Sequence, residues 1–408
     1  MNAASSKAHA TWPLVITAAL ILMITMGSRQ TLGLFMSPLN TSTGMGIVSI
    51  SLAFAIGQFV WGASQPIFGA VADRYGPGRV IVFGGLLLAL GWALTPLVNN
   101  QWMLIVTMGV IASAGAGAGS FSILIGATAG RLPPERRAFT AGFINAGGSF
   151  GQFVFAPLVQ GLIAGFGWVV AMFAMALSAL VTLPMAWVMR RKPVPAAAKA
   201  AAKDDMGLRA QLRIALRDKS YWYLHAGFFT CGFHIAFLVT HLPGEVGLCG
   251  LSAGVAATSL AIIGLANIAG SLGAGALGNV FRMKWLLVWL YASRAVAIGL
   301  YLAAPKTPMT FYVFAAVLGV TWLSTVPPTA GLVGKLFGMR YLATLFGLTL
   351  LSHQIGGFFG AWLGGIALAG TGSYAWMWYA DMVLALMAAV VNLPIKEAPL
   401  GAPRAAAA

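Results

Sequence analysis

The chain has 408 residues, 59% of them hydrophobic and only 8% charged, with a mean hydropathy of +0.87. Soluble domains carry roughly 25% charged residues, and a water-soluble fold of this length has no interior large enough for so much apolar side chain, so the main solvent is lipid. The formal net charge of +16 does not mark a nucleic-acid partner, because the basic residues sit in short connectors between apolar runs.

Taken in chain order, apolar runs of about 20 residues predict twelve spans: 12–36, 47–72, 79–98, 102–129, 138–163, 167–189, 221–243, 252–277, 284–304, 309–332, 341–369 and 374–394. The first run is too long for a cleaved signal peptide. Ala8-His9-Ala10 has the shape of a cleavage site but precedes that run instead of following it. The second, fourth, eighth and eleventh runs are long enough to tilt or to extend past the lipid.

The charges then set the orientation. Lys7 precedes span one; Arg74 and Arg79 follow span two; Arg131, Arg136 and Arg137 follow span four. Arg190, Arg191, Lys192, Lys199, Lys203, Arg209, Arg213, Arg217 and Lys219 follow span six. Arg282 and Lys284 follow span eight, Lys335 and Arg340 follow span ten, and Lys396 and Arg404 follow span twelve. All fall on one side, and Lys306 alone falls on the other. Positive-inside asymmetry predicts a multi-pass inner-membrane protein with both termini cytoplasmic.

The long connector 190–219 separates a first six-helix bundle (1–189) from a second (220–408). It is Ala/Lys-rich and then weakly amphipathic over 206–218, where Leu208, Leu212, Ile214 and Leu216 alternate with arginines. It reads either as a short helix on the cytoplasmic membrane surface or as a solvated linker. Cys231 and Cys249 would lie about 27 Å apart on one helix, too far for a disulfide, and both read as packing residues. The run Ala112 to Gly119 resembles a phosphate loop but lacks its Lys-Ser/Thr, so it reads as a small-residue helix face for close packing. No Cys-x-x-Cys, no His-x-x-x-His and no nucleotide signature occurs, so neither a metal, a cofactor nor ATP-driven pumping is expected.

The mid-chain division coincides with an internal repeat. Gly27 and Gly232, Pro38 and Pro243, Gly142 and Gly347, and Gly151 and Gly356 are each 205 residues apart, and Gly69 and Gly275 are 206 apart. Two parallel six-helix halves predict alternating access about a site near the midplane. The same offset makes His234 the partner of Arg29.

Gly69-Ala70-Val71-Ala72-Asp73-Arg74-Tyr75-Gly76-Pro77-Gly78-Arg79 resembles the loop signature of the major facilitator superfamily. The resemblance implies an all-α fold of two pseudo-symmetric six-helix bundles, with spans one, four, seven and ten lining the cavity. It also implies a conformational gate at Gly69, Asp73, Arg74, Gly76 and Arg79, where Asp73 would accept from a helix N-terminus or an Arg. The second copy, Gly275 to Lys284, has Asn279 where Asp would stand. More narrowly, Arg29-Gln30-Thr31-Leu32-Gly33-Leu34-Phe35, Cys231-Gly232-Phe233-His234, Pro327-Pro328-Thr329 with Phe337-Gly338, and Ser352-His353-Gln354-Ile355-Gly356-Gly357 resemble the bacterial monocarboxylate-porter and oxalate/formate-antiporter branch. That resemblance implies transport of small organic anions. It departs at span eight, where Asn267-Ile268-Ala269-Gly270-Ser271 stands in the region that typically carries an Arg.

Ionisable groups inside a bilayer are functional candidates. At 1.5 Å per residue, Arg294 lies about 15 Å deep, His353 about 18 Å, His234 about 20 Å and Arg29 about 26 Å. Arg29 and His234, facing each other across the pseudo-two-fold axis, would clamp a carboxylate, since Arg offers two parallel donors and never loses its charge. His353, Trp322, Asn267 and Arg294 complete the expected substrate set, although Arg294 also suits a structural bond to a helix end or an acid. Asp381, His234 and Glu245 are the proton-coupling candidates; for Asp381 a structural ion pair is the competing reading.

These features predict a secondary transporter for a small organic anion, a monocarboxylate, working by proton symport or anion exchange, as a monomer and not as an enzyme. An exporter of larger amphipathic compounds and a transporter-like membrane sensor are the alternatives. The short connector argues against the sensor, and the basic cavity inventory argues against cationic substrates.

Overall fold

A computed structural model describes residues 12–129, 131–132, 134–190, 207–338 and 341–397. Lys7, Arg191, Lys192, Lys199, Lys203, Arg340 and Arg404 lie outside the described residues, as do the side chains of Asp73, Arg136 and Arg137. The described chain is helical, the form lipid imposes because every backbone N–H and C=O must be satisfied internally.

In chain order, α1 is Trp12–Arg29, continued past a break by Leu32–Phe35 and Met36–Thr43. α2 is Ile47–Tyr75 and α3 is Pro77–Leu94. α4 runs through Gln101–Leu104, Ile105–Ala112 and Ser113–Ala118, breaks, and resumes as Phe121–Ala129. α5 and α6 share the run Pro134–Leu180, divided at Gly167, and Thr182–Val188 ends α6. α7 is Lys219–Leu248, α8 Ala253–Leu277 and α9 Met283–Ala303. α10 is Pro308–Thr321 and Val326–Phe337, α11 Leu342–Thr371 and α12 Ala375–Asn392. Gly76 (φ +92°) and Gly167 (φ +85°) make the sharp reversals α2–α3 and α5–α6 in the left-handed region open to glycine, and Pro77 then begins α3. The outward faces expose Trp102, Phe166, Leu177, Trp187, Trp289 and Leu300, which fits lipid and not water.

The repeat is visible as one helix crossing built twice. In the first half, a methyl group on Gly151 would collide with the Met23 carbonyl of α1, and one on Gly27 with the Gly151 backbone. In the second, Gly232 of α7 has no room for a methyl beside the His353 carbonyl, and Gly356 of α11 has none beside the Phe229 carbonyl. Gly360 and Gly364 extend that α11 face against Phe233 and His241, a small-residue seam of the kind that packs helices in lipid. The breaks in α4, at 119–120, and in α10, at 322–325, also stand at matching places. Gly232→Ala should destabilise the protein by about 3 kcal/mol, because a rigid carbonyl cannot yield as a side chain would. Thermal unfolding in detergent measures it.

The glycine run of α4 packs as expected: Gly115 faces α3 at Leu88, Gly117 faces α2 at Ser64, and Gly119 faces α1 at Thr25, whose hydroxyl donates to the Gly119 carbonyl at 2.9 Å.

The halves touch along α2–α11 and α5–α8 and, at the end away from the basic loops, through α1 and α7. There Gly33 packs directly on the Val239 and Thr240 carbonyls. Among the described residues, the α4 and α10 segments nearest the basic loops make no comparable approach to the other half. The α1–α7 contact thus joins the halves at the end away from the basic loops, while α5 and α8 still meet near those loops, where Gly142 lies close to Leu272.

The connector contains the helix Leu208–Arg217. It docks on the second half, with Gln211 Nε2 donating to the Phe337 carbonyl at 2.9 Å and Trp222 Nε1 donating to the Leu216 carbonyl at 2.8 Å. Leu208, Ile214 and Leu216 stay exposed on it.

Glu397, beyond α12, supplies the acid that the loop after α8 lacks. Its carboxylate accepts from the Met283 and Lys284 amides at the start of α9, at 3.1 and 3.3 Å, and pairs with Lys335 at 2.7 Å. Partial burial pushes its pKa up, but the Lys335 ammonium and the two amides outweigh that and hold it below the ordinary value of 4.5. A depressed folded pKa contributes stability above the unfolded value that disappears as pH falls through the folded one. The unfolding midpoint should therefore drop as pH is lowered below about 4.5, and drop less in Glu397→Gln. Lys335 is 45% exposed, so screening limits the effect to about 1 kcal/mol.

Candidate functional site

α1 ends its first rod at Arg29, where the negative pole of the helix favours a cation. From there the guanidinium reaches to α2. It lies over the Trp61 ring, 4.3 Å from its centroid, and Nη2 donates to Gln58 Oε1. Both partners stand where α2 meets α11: Gln58 faces Gly357, and Gly62, beside Trp61, faces Gln354. His353 of α11 lies within electrostatic reach of Arg29. It packs on Phe228 at 5.0 Å, and Gln354 Nε2 donates to its Nδ1 at 3.0 Å. That bond leaves the neutral ring's proton on Nε2, a donor.

Arg29 has no carboxylate partner among the described residues. A cation–π contact and one neutral amide do not neutralise a guanidinium. One fixed positive charge, with neutral donors around it at the junction of the halves, is the chemistry of an anion site.

His234 does not join it. Its ring is fully buried within the second half, where Nδ1 meets Asp381 Oδ2 at 2.5 Å and the ring packs edge-on against Trp322 at 5.8 Å. The clamp expected between Arg29 and His234 is thus replaced by two separate sites. The repeat makes the two backbone positions equivalent, but Asp381 has no counterpart on the other side and draws the imidazole inward. Arg294 also turns out structural in its contacts: it is fully buried, and Nη2 donates to the Thr321 and Trp322 carbonyls at 2.8 and 3.2 Å. These carbonyls are the ones that the break in α10 leaves without helical partners.

Asn267 is likewise occupied. Nδ2 donates to Ser149 of α5 at 2.8 Å, while Oδ1 accepts from Ser271 at 3.1 Å and from the Leu323 amide at 3.0 Å. It ties α8 to α5 and to the α10 break, which leaves its oxygen already accepting two hydrogen bonds. Trp322 is sealed against His234. Glu245 accepts from Tyr301 at 2.7 Å near the end away from the basic loops, beside His241, which bonds Tyr374 at 3.2 Å and the Ala361 carbonyl at 2.7 Å.

In the loop after α2, Gly76 makes the reversal, Arg74 lies over Tyr75 at 5.2 Å, and Arg79 is exposed. Gly78, not Gly69, is the glycine of close approach, against the Ala186 carbonyl at the end of α6.

Sequence reasoning missed Gln58, Trp61 and Gln354. The available signal was a polar stripe in an apolar run: Ser51, Gln58 and Gln65 recur every seven residues and are all buried, one face of a helix.

Two six-helix halves packed about a shared axis, with a charged group at their junction, are the architecture of a membrane transporter. The chain belongs to the Major Facilitator Superfamily, whose model matches residues 18–361. It is 25% identical to the oxalate:formate antiporter of Oxalobacter formigenes over 90% of this chain and 86% of that one. It is 23% identical to monocarboxylate transporter 13 of Bos taurus over 89% and 84%. The D-xylose–proton symporter structure superimposes with a TM-score of 0.76 at 15% identity, covering 95% of this chain and 99% of that one, which shows the shared fold.

Proposed function

We propose that this transporter carries a small organic monoanion, a monocarboxylate, with Arg29 as its anchor. The observation that carries the reading is an arginine at the junction of the halves with no carboxylate partner among the described residues. Its two relatives named for oxalate, formate and monocarboxylates point to the same substrate class. A single fixed charge suits one carboxylate; Arg294, the other deep arginine, is spent on backbone carbonyls.

The carboxylate takes two parallel N–H donors from Arg29 and a third from His353 Nε2, while Gln58 and Trp61 hold the guanidinium in place. The halves rock, and the site opens alternately to each end. The connectors carrying the basic excess face the cytoplasm of an inner membrane. Protons or a counter-anion supply the drive, and the chain works as a monomer.

Uptake of labelled formate, lactate, pyruvate and oxalate into proteoliposomes tests the reading. The monocarboxylates should move faster than oxalate. If none moves and a larger amphipathic compound does, the exporter reading takes its place.

A further inference from the structure

We propose that the sealed His234–Asp381 pair, braced by Arg294 against the break in α10, is the proton-binding site that couples transport. The inference rests on the small-anion reading for its transport arm and on geometry alone for the site.

The four groups come from four helices of the second half: His234 from α7, Arg294 from α9, Trp322 from α10 and Asp381 from α12. All are fully buried. The contact between His234 Nδ1 and Asp381 Oδ2 spans 2.5 Å, yet the rest of the cluster is left open. His234 Nε2, Asp381 Oδ1, Arg294 Nε and Nη1, and Trp322 Nε1 have no partner among the described residues. A pair serving only to hold helices together has its spare positions satisfied. This one keeps a vacant basic position on each member, so an added proton has a place to sit, on His234 Nε2 or Asp381 Oδ1.

The other groups facing the pair are few. Arg294 acts on His234 electrostatically; behind it on α9 stands Tyr291, with Cys231 of α7 and Thr325 of α10 around it. Nearer the end away from the basic loops, Trp378 intervenes before Tyr301 and Glu245. With Asp381 ionised and His234 neutral, Arg294 and Asp381 cancel. One added proton leaves a net charge of +1 in a low-dielectric interior.

Two consequences link that charge to transport. First, a monoanion arriving at Arg29 offsets it, so proton and anion favour each other's binding reciprocally. His353, beside the anion site, feels both Arg29 and Arg294, so the two sites lie within one electrostatic neighbourhood. Second, Arg294 holds the Thr321 and Trp322 carbonyls at the α10 break, and Trp322 packs on the His234 ring. A cationic His234 repels Arg294 and loosens that hold, so the protonation state is read by the discontinuous helix at its hinge.

Two measurements test the site, using full-length protein reconstituted in lipid. In the first, a pH gradient drives accumulation of labelled lactate, and lactate counterflow at equal pH serves as the reference. Asp381→Asn and His234→Gln should each lose gradient-driven accumulation by about tenfold or more and keep counterflow within about threefold of wild type. Wild-type accumulation in both variants would overturn the proposal. In the second, pH-difference infrared spectroscopy reads protonation without any substrate. A buried carboxyl or imidazolium band should appear in wild type and vanish in both variants; identical spectra in wild type and Asp381→Asn would overturn the proposal even if a variant transports poorly. If wild type moves no carboxylate in either transport mode, the anion reading fails, and the infrared titration still decides the proton site.

Discussion

Arg29→Gln should lower carboxylate uptake by about 100-fold, because the substitution removes the fixed positive charge that the described residues place at the junction and two of the three donors to the carboxylate. Arg29→Lys should recover part of the rate. An ammonium keeps the charge but loses the two-pronged geometry and the stacking on Trp61. The same change has an opposite effect on folding. A guanidinium without a counter-charge, half-buried between helices, costs stability until an anion arrives. Arg29→Gln should therefore unfold at an equal or higher temperature than wild type while failing to transport. A scaffold arginine would show the reverse, a lower midpoint with proportionate loss of activity. Scanning fluorimetry and initial-rate uptake on the same preparations separate the two.

Gly33→Val should abolish net transport by a different route. Gly33 packs directly against the Val239 and Thr240 carbonyls, and these belong to the other half of the molecule. Within one half, such an added side chain damages folding, as at Gly232. Between halves, it damages only the conformation in which the halves meet. A branched side chain at 33 should reduce the population of the state closed at this end by about 10–100-fold, with little loss of thermal stability. Spin labels at Thr43 and Leu248 would report it as a longer mean distance in the variant. Uptake should fall in step, since a transporter that cannot close one end cannot complete the cycle. An unchanged distance distribution would remove the α1–α7 contact from the gating account.

The architecture was legible because each of its determinants is local. Span length, the one-sided placement of Arg and Lys, and a constant offset between glycines are read along the chain, and they produce the twelve helices and the paired crossings at Gly151 and Gly356. The site was legible only in part. Arg29 and His353 stand out as ionisable groups in apolar runs, and the structure brings them into one neighbourhood. Gln58 and Trp61 do not stand out, since neutral side chains in a span usually serve packing; only the seven-residue recurrence of Ser51, Gln58 and Gln65 marks the face of α2. The pairing of Arg29 with His234 failed for a physical reason. Internal symmetry relates backbone positions, whereas the direction of a long side chain depends on its neighbours, and Asp381 is present in one half only. For Asn267, a carboxamide in a span suits a ligand or a helix joint equally, and contacts with Ser149 and Leu323, more than 50 residues away in either direction, are not visible along the chain. Glu397 lies beyond the last span, where no periodicity points to it, yet it supplies the acid missing at Asn279.

Recognition of the cargo by its negative charge at Arg29 can be tested in isolation. The most direct measurement compares uptake of lactate with that of lactamide, which has nearly the same shape and no charge, in proteoliposomes of wild type and Arg29→Gln. Wild type should prefer lactate by about 100-fold, and Arg29→Gln should lose the preference. Equal transport of the two solutes by wild type, or a preference that survives in Arg29→Gln, would contradict it.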